Sequence, residues 1–160
     1  MTWSIVVLVL ALLLATYTAW TAGRLDRQHA RVDAAWAALD SQLVRRAAAA
    51  RELVHGLPPG PTGQRLEQLA LQALEAQVVG RELVENDLTG ALRAALPLLP
   101  DHASLGELRA ATVRVGLARS FHNTAVKDTR SLRFRRLPRV LRLAGHRVLP
   151  LFFEMDDTAL

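Results

Sequence analysis

The sequence predicts an all-α protein: an N-terminal transmembrane helix followed by a long-helix antiparallel bundle of three long helices plus a short C-terminal helix. Leu and Ala, which favour helix, supply 30 and 26 of the 160 residues. An uncharged run of 20 residues lies near the N-terminus, and two Pro-containing breaks divide the rest of the chain. Aromatic residues are only 5% of the chain, which argues against an all-β fold. Cys is absent, which excludes a disulfide scaffold, a Cys-ligated metal and a thiol nucleophile.

The uncharged run, residues 3–22, predicts the transmembrane helix. As a helix it is about 30 Å long, the thickness of a bilayer's hydrocarbon layer. Trp3 and Trp20 lie near its two ends, where aromatic rings favour the membrane interface. A cleaved signal peptide needs a basic start and a small residue three positions before the cut, whereas a cut after Ala22 would leave Trp20 there. We therefore predict an uncleaved anchor over residues 1–23, with an exported soluble bundle after signal cleavage as an alternative.

The charges beside the anchor predict its orientation. No basic residue precedes the run, while Arg24, Arg27 and Arg31 lie closely behind it. Since basic residues stay on the cytoplasmic side, the N-terminus is predicted outside and residues 24–160 in the cytoplasm. The protein is thus expected to be a single-pass protein of the cell membrane, with the lipid bilayer as its partner through residues 3–22.

The first bundle helix is predicted from about Arg24 to His55. Its apolar positions recur alternately four and three residues apart, which is typical of a helix with one buried seam. The Pro- and Gly-rich residues 56–63 end it. Only Gly23 interrupts the helix-favouring residues before it, so anchor and bundle helix can form one rod. The seam positions are Leu25, His29, Val32, Trp36, Leu39, Leu43, Arg46, Ala50 and Leu53.

Two further long helices complete the predicted bundle over residues 24–133. The second covers residues 64–96, and Pro97 and Pro100 end it. The third starts at about Ser104 with a capping-box sequence and continues to about residue 133. Helices of similar length joined by short loops pack side by side and antiparallel. The second seam is Leu66, Leu69, Ala73, Ala76, Gly80, Leu83, Asp87, Gly90 and Ala94, and the third is Leu108, Ala111, Val115, Ala118, His122, Ala125, Thr129 and Leu132.

Residues 134–160 are predicted to form a basic amphipathic C-terminal segment. Eight basic residues and one acidic residue fall from Lys127 to Arg147, so this stretch carries +7 and accounts for the positive net charge of the whole chain, which is +5. A short helix beginning at Pro138 would carry basic and apolar side chains on opposite faces, which is typical of binding to anionic lipid headgroups. A fourth bundle helix with a solvated Arg face is an equally open alternative. The candidate headgroup-binding residues are Arg135, Arg136, Arg139, Arg142 and Arg147.

Other chemistry finds little support in the sequence. Glu52-Leu-Val-His55 matches the Glu-x-x-His unit of di-iron bundles, but such a site needs two units and two further Glu residues. The basic stretch lacks interleaved aromatic residues beyond Phe134, so no nucleic acid partner is expected. Neither a phosphate-binding loop nor a nucleophile elbow is present in the sequence. We predict no catalytic residue, cofactor or metal, and keep a metal-binding or enzymatic bundle tethered to the membrane as an alternative.

Several further polar and apolar side chains also have expected places. The apolar residues 151–153 are expected to dock on the bundle or to dip into lipid. Glu82, Glu85 and Asp87 are expected to be solvated or to pair with nearby arginines. Contacts between helices that hold their register are expected from Asp40, Arg45, Arg46, Asn86, Arg119 and Asn123.

Short stretches behind the anchor carry a family resemblance. They are residues 31–36 running on to 39–46, then 85–92, 118–126 and 152–154. In their order and position the chain resembles the LemA family of bacterial membrane proteins over nearly its whole length. The resemblance implies a single N-terminal membrane helix and a cytoplasmic antiparallel bundle with no established catalytic activity. The chain departs from the family's usual Pro-Asn-Leu-Val run at residues 47–54, and has His122-Asn123 where Tyr-Asn is common.

Together these observations predict a membrane-anchored cytoplasmic helical-bundle scaffold or protein-interaction module of the LemA type, without catalysis. The sequence does not identify the protein partner. A homo-oligomer is also considered, because small residues recur every fourth position in the anchor, as at helix interfaces in membranes. In a chain this rich in Ala, chance explains that stripe better. Its members are Ala11, Ala15, Ala19 and Gly23.

Overall fold

The computed structural model describes residues 2–99, 103–134 and 148–156, without the side chains of residues 103 and 104. Within these ranges all regular structure is helical, as predicted. The predicted C-terminal helix after Pro138 lies outside the described residues, as do the headgroup-binding candidates Arg135, Arg136, Arg139, Arg142 and Arg147. The helices are α1 (Thr2–Leu53), α2 (Pro61–Glu75), α3 (Arg81–Ala95) and α4 (Ala103–Arg133), with short 3-10 turns at Val54–Gly56 and Leu96–Leu98.

Helix α1 is a single uninterrupted helix of 52 residues. It passes through Gly23 without a break, so the stretch predicted as the anchor and the stretch predicted as the first bundle helix form one continuous helix. The predicted seam is confirmed, since eight of its nine positions are buried and Trp36 is half-buried. The seam of α4 is likewise confirmed, with Ala118 half-buried and the other positions buried.

The prediction of one helix over residues 64–96 is wrong, because two helices occupy this stretch. Helix α2 starts at Pro61, earlier than predicted, since proline suits the first turn of a helix. It ends at Glu75, where Ala76 turns to an extended conformation. Gly80 then takes a left-handed conformation with φ of 84°, which glycine adopts readily, before α3 begins.

The break also shifts the buried face of α3 away from the predicted seam. Leu83 and Asp87 are exposed, although the uninterrupted spacing placed both in the core. Linker residues that are not helical reset the angular phase of the next helix. The residues buried on α3 are Arg81, Glu85, Leu88, Thr89, Leu92 and Ala95.

The chain forms two compact units, and both α1 and α4 contribute residues to each of them. The first unit comprises Met1–Ala35 and Asn123–Phe152. Val32 packs against Ala125 and Val126 in its small core. The predicted domain boundaries at residues 23 and 133 stay a prediction.

The second unit comprises Trp36–His122 and Phe153–Leu160. All four helices supply buried leucines to its larger core, namely Leu53, Leu66, Leu92 and Leu108. Alanines fill the spaces between them, which lets helix backbones approach closely. A neighbouring cluster contains Leu39, Leu43, Val115, Phe153 and Met155.

Candidate functional site

One described helix, α1, is long and apolar enough to cross a membrane. Its most apolar 18-residue window has a mean hydropathy of 2.2, and only 6% of that window is buried. The hydroxyls of Thr16 and Thr18 donate to the carbonyls of Leu12 and Ala15, each at 2.8 Å. Both polar groups are thus satisfied inside the helix, as a lipid environment requires.

The second unit contains a buried ion pair between α1 and α3. Arg46 Nη2 lies 3.0 Å from Glu85 Oε2, and the two side chains are 1% and 0% exposed. The same nitrogen donates to the Glu85 carbonyl at 2.9 Å and to Thr89 Oγ1 at 3.1 Å. One guanidinium edge therefore holds three oxygen atoms of α3.

Arg81 extends this pair into a network. Its Nε donates to Glu85 Oε1 at 3.1 Å, and its Nη1 donates to the carbonyl of Ala76 at 2.7 Å. Nη1 also lies 3.2 Å from Oδ1 of Asp40, whose side chain is 45% exposed. The network thus contains two arginines and two carboxylates, so its charges balance. The Arg81 side chain also holds the linker between α2 and α3 through its bond to the carbonyl of Ala76.

Burial sets the direction of the pKa shifts in this network. Removal from water lowers the pKa of the Arg46 guanidinium, and the nearby Glu85 carboxylate opposes that shift. Burial also raises the pKa of the Glu85 carboxyl, against the charges of Arg46 and Arg81. The pair is therefore a site where the loss of one partner leaves a costly buried group.

Residues 153–156, here called the docked segment, form the second polar site. Their exposure alternates, with Phe153 and Met155 buried and Glu154 and Asp156 exposed. The Phe153 ring meets Trp36 edge-on, with ring centroids 5.7 Å apart. An extended chain with one buried and one exposed face explains this period of two.

Side chains of α3 accept the backbone N–H groups on the exposed side of the docked segment. Glu82 Oε1 accepts from the N–H of Glu154 at 2.6 Å. Asn86 Oδ1 accepts from the N–H of Asp156 at 2.8 Å. The acceptors lie one helical turn apart and the donors two extended residues apart, so the segment runs in the direction of α3.

Two arginines donate hydrogen bonds to oxygen atoms of the docked segment. Arg119 of α4 donates from Nη1 to the carbonyl of Met155 at 2.9 Å. Arg93 of α3 lies 2.9 Å from Asp156 Oδ2, and this hydrogen bond raises the pKa of the guanidinium. The segment is thus bound through its backbone, its acidic side chain and its apolar side chains.

The structure places the predicted polar residues in two different roles. Asp40 and Arg46 make the expected contacts between helices. Asn86 and Arg119 instead bind the docked segment. Arg45 is exposed. The contact expected of Asn123 stays a prediction.

Arg81 and Glu82 carry roles that the sequence reasoning missed. The burial of Arg81 could not be predicted because one unbroken helix was assumed, and that helix places Gly80 rather than Arg81 in the seam. For Glu82 a signal did exist, since residues 82, 86 and 93 share one face of α3 at helical spacing. Of residues 151–153, Phe153 docks on the helices, in line with one of the two hypotheses, while Leu151 is 74% exposed.

The histidines and carboxylates of the described part of the chain do not assemble a metal site. No group of three or more such side chains there is close enough to hold an ion. Glu52 and His55 are not fully buried, and neither belongs to such a group. His122 is buried and meets the ring of Trp36 edge-on at 5.5 Å.

Comparison with protein-family models, curated proteins and solved structures finds no match for this chain. The chemistry of its own residues therefore carries the functional argument.

Proposed function

We propose that the chain is a membrane-anchored scaffold or protein-interaction module without catalytic activity of its own. The observation that carries this proposal is the continuity of α1, whose exposed apolar part runs without a break into the buried seam of the folded units. A helix of this kind fixes a folded module at a bilayer without an intervening flexible linker. Residues 3–22 would lie in lipid and the rest of the chain in the cytoplasm.

The end of the apolar stretch supports this orientation. Arg24 lies over the ring of Trp20, with 5.7 Å between its guanidinium carbon and the ring centroid. An aromatic ring and a cation at this depth suit the boundary between hydrocarbon and headgroups. Arg27 and Arg31 come next, on the side assigned to the cytoplasm. Arg135, Arg136, Arg139, Arg142 and Arg147 would add a contact to anionic headgroups.

The arrangement of the chain supports an interaction role more than a catalytic one. Val113, Leu117 and Phe121 are 72%, 57% and 63% exposed on one side of α4. Apolar side chains exposed together outside a membrane segment are typical of a protein contact. The chemistry found among the described side chains serves to hold helices and the docked segment in place.

The LemA resemblance and the antiparallel bundle belong to the same proposal. The stretches that resemble this family include Arg46 and Glu85 of the buried pair and Phe153 of the docked segment. Residues that carry the resemblance thus also make the contacts that define the second unit, which supports a common architecture.

Single introduced cysteines test the proposed topology cleanly, because the chain has no Cys. Thr2→Cys and Gln72→Cys are each expressed, and intact cells are treated with a membrane-impermeant maleimide. We expect labelling of Thr2→Cys in intact cells and of Gln72→Cys only after lysis. Labelling of Gln72→Cys in intact cells would overturn the orientation, and the cysteine-free chain is the control.

A further inference from the structure

We propose that the second unit carries a peptide-binding groove and that the docked segment occupies it as a tethered ligand. The ligand class is an extended peptide in which apolar residues alternate with acidic ones, as in Phe153-Glu-Met-Asp156. This inference rests on the proposed interaction function and names the chemistry of its partner. The groove is lined by Trp36, Leu39, Leu43, Glu82, Asn86 and Val115, and Arg119 closes it.

The geometry of α3 matches an extended backbone. Four residues of helix rise about 6.0 Å, and two residues of extended chain rise about 6.6 Å. Acceptors at Glu82 and Asn86 can therefore meet successive outward N–H groups of any extended peptide, whatever its side chains. These backbone contacts supply affinity without sequence preference.

Side-chain preference comes from the apolar cluster and from Arg93. Phe153 and Met155 are 3% and 6% exposed, within the cluster formed by Leu39, Leu43 and Val115. The ion pair between Arg93 and Asp156 favours an acidic residue at the fourth position. The groove thus selects two large apolar residues, two positions apart, followed by a carboxylate.

The helices that carry the groove are held together by contacts that do not involve the docked segment. The larger core, which joins all four helices through Leu53, Leu66, Leu92 and Leu108, includes no residue of that segment. The Arg46–Glu85 pair also involves no residue of that segment. A segment that leaves would therefore expose a preformed apolar site, which a peptide of the same chemistry can enter.

Tethering has a measurable consequence. A ligand attached to its own site acts at an effective concentration on the order of millimolar. A free peptide must compete with it, so the unmodified chain binds the peptide weakly. A partner that displaces the docked segment would release the C-terminal part of the chain.

Fluorescence anisotropy tests the groove with the full chain in lipid nanodiscs. The probe is a fluorescein-labelled peptide of residues 151–156, titrated with the unmodified chain and with the Phe153→Ala/Met155→Ala chain. We expect saturable binding to the variant, and at least about tenfold weaker binding to the unmodified chain because of the tethered competitor. Equal affinity for both chains, or no binding to a variant that keeps its helical circular dichroism, would overturn the proposal.

Two further measurements keep the test decisive. Glu154→Pro removes the N–H that Glu82 accepts while leaving both apolar anchors in place, so it must also raise peptide affinity if the double variant does not fold. A probe peptide with Ala in place of Phe153 must not bind. Binding of that altered peptide would contradict the proposed side-chain preference.

The mass of the nanodisc particles shows whether the groove holds the docked segment of its own chain or that of a second copy. We expect the number of chains per particle to be the same for the unmodified chain and Phe153→Ala. A dimer that Phe153→Ala converts to monomer would show a second copy's segment in the groove and overturn the tethered arrangement. Labelling at Thr2 and Gln72 reports the membrane topology independently, so a failed peptide titration and a failed topology are separate results.

Discussion

Arg46 and Glu85 form an ion pair of 3.0 Å between two side chains that are 1% and 0% exposed. The two residues are 39 positions apart in sequence and belong to α1 and α3. Since neither charge reaches water, each depends on the other and on the oxygens and nitrogens around them. Any other alignment of these two helices would leave buried charges without their partners, so the pair fixes the register of α1 against α3.

Removal of Arg46 should therefore destabilise the chain strongly. Arg46→Ala leaves the Glu85 carboxylate with only Arg81 as a buried partner, at a cost of about 3–5 kcal/mol in the free energy of unfolding. Urea unfolding followed by circular dichroism in detergent measures this loss. Arg45→Ala is the matched control, because the neighbouring arginine is exposed, and it should change stability by less than about 0.5 kcal/mol. Equal losses would contradict the role of the pair.

The two carboxylates of the network should contribute differently to the free energy of unfolding. Glu85→Gln removes the charge that two guanidinium groups share and should cost about 3 kcal/mol or more. Asp40→Asn affects a carboxylate that is 45% exposed, so its loss should stay below about 1 kcal/mol. The same unfolding measurement ranks them, and a larger loss for Asp40→Asn would be incompatible with this network.

Two glycines test the break between α2 and α3. An added Cβ would meet no atom within 4 Å at either Gly80 or Gly90, so sterics with neighbours do not distinguish them. Gly80→Ala should destabilise by about 1–2 kcal/mol because its φ of 84° is left-handed. Gly90→Ala, inside α3, should stabilise by about 0.5–1 kcal/mol. Thermal unfolding of both variants measures these changes in stability. A higher stability of Gly80→Ala would refute the left-handed conformation of the linker.

Much of the fold could be predicted from the sequence because α1 and α4 keep one apolar spacing throughout. Their seams, including the buried Arg46 and His122, lie where that spacing puts them. The break at Gly80 could not be found in this way, since Ala and Gly fit a seam and a linker equally well. Periodicity alone carries no information on where one helix stops and another restarts in phase.

The sites were less predictable for a related reason. Glu82 and Glu85 are three positions apart and chemically alike, yet one accepts a backbone N–H at the surface and the other lies in the core. Only the angular phase of α3 separates these roles. The docking of Phe153 likewise depends on a cluster built by residues distant in sequence, such as Leu43 and Val115.

The basic segment has a test that does not depend on the rest of the chain. A peptide of residues 134–150 should bind vesicles containing anionic lipid and bind neutral vesicles weakly. Each basic residue near the surface adds about 1 kcal/mol of attraction, which salt screens. Replacement of Arg139 and Arg142 by Gln should weaken binding to anionic vesicles, as measured by flotation. Equal binding to both lipid types would leave this segment as a solvated helix surface.

The intact mass of the protein extracted from membranes tests the central claim most directly. A permanent anchor predicts that the chain in the membrane fraction has a mass that still includes residues 1–23. It also predicts that alkaline carbonate does not release the protein. A mature chain that lacks about the first 22 residues and is recovered outside the membrane would contradict anchoring and favour export after signal cleavage.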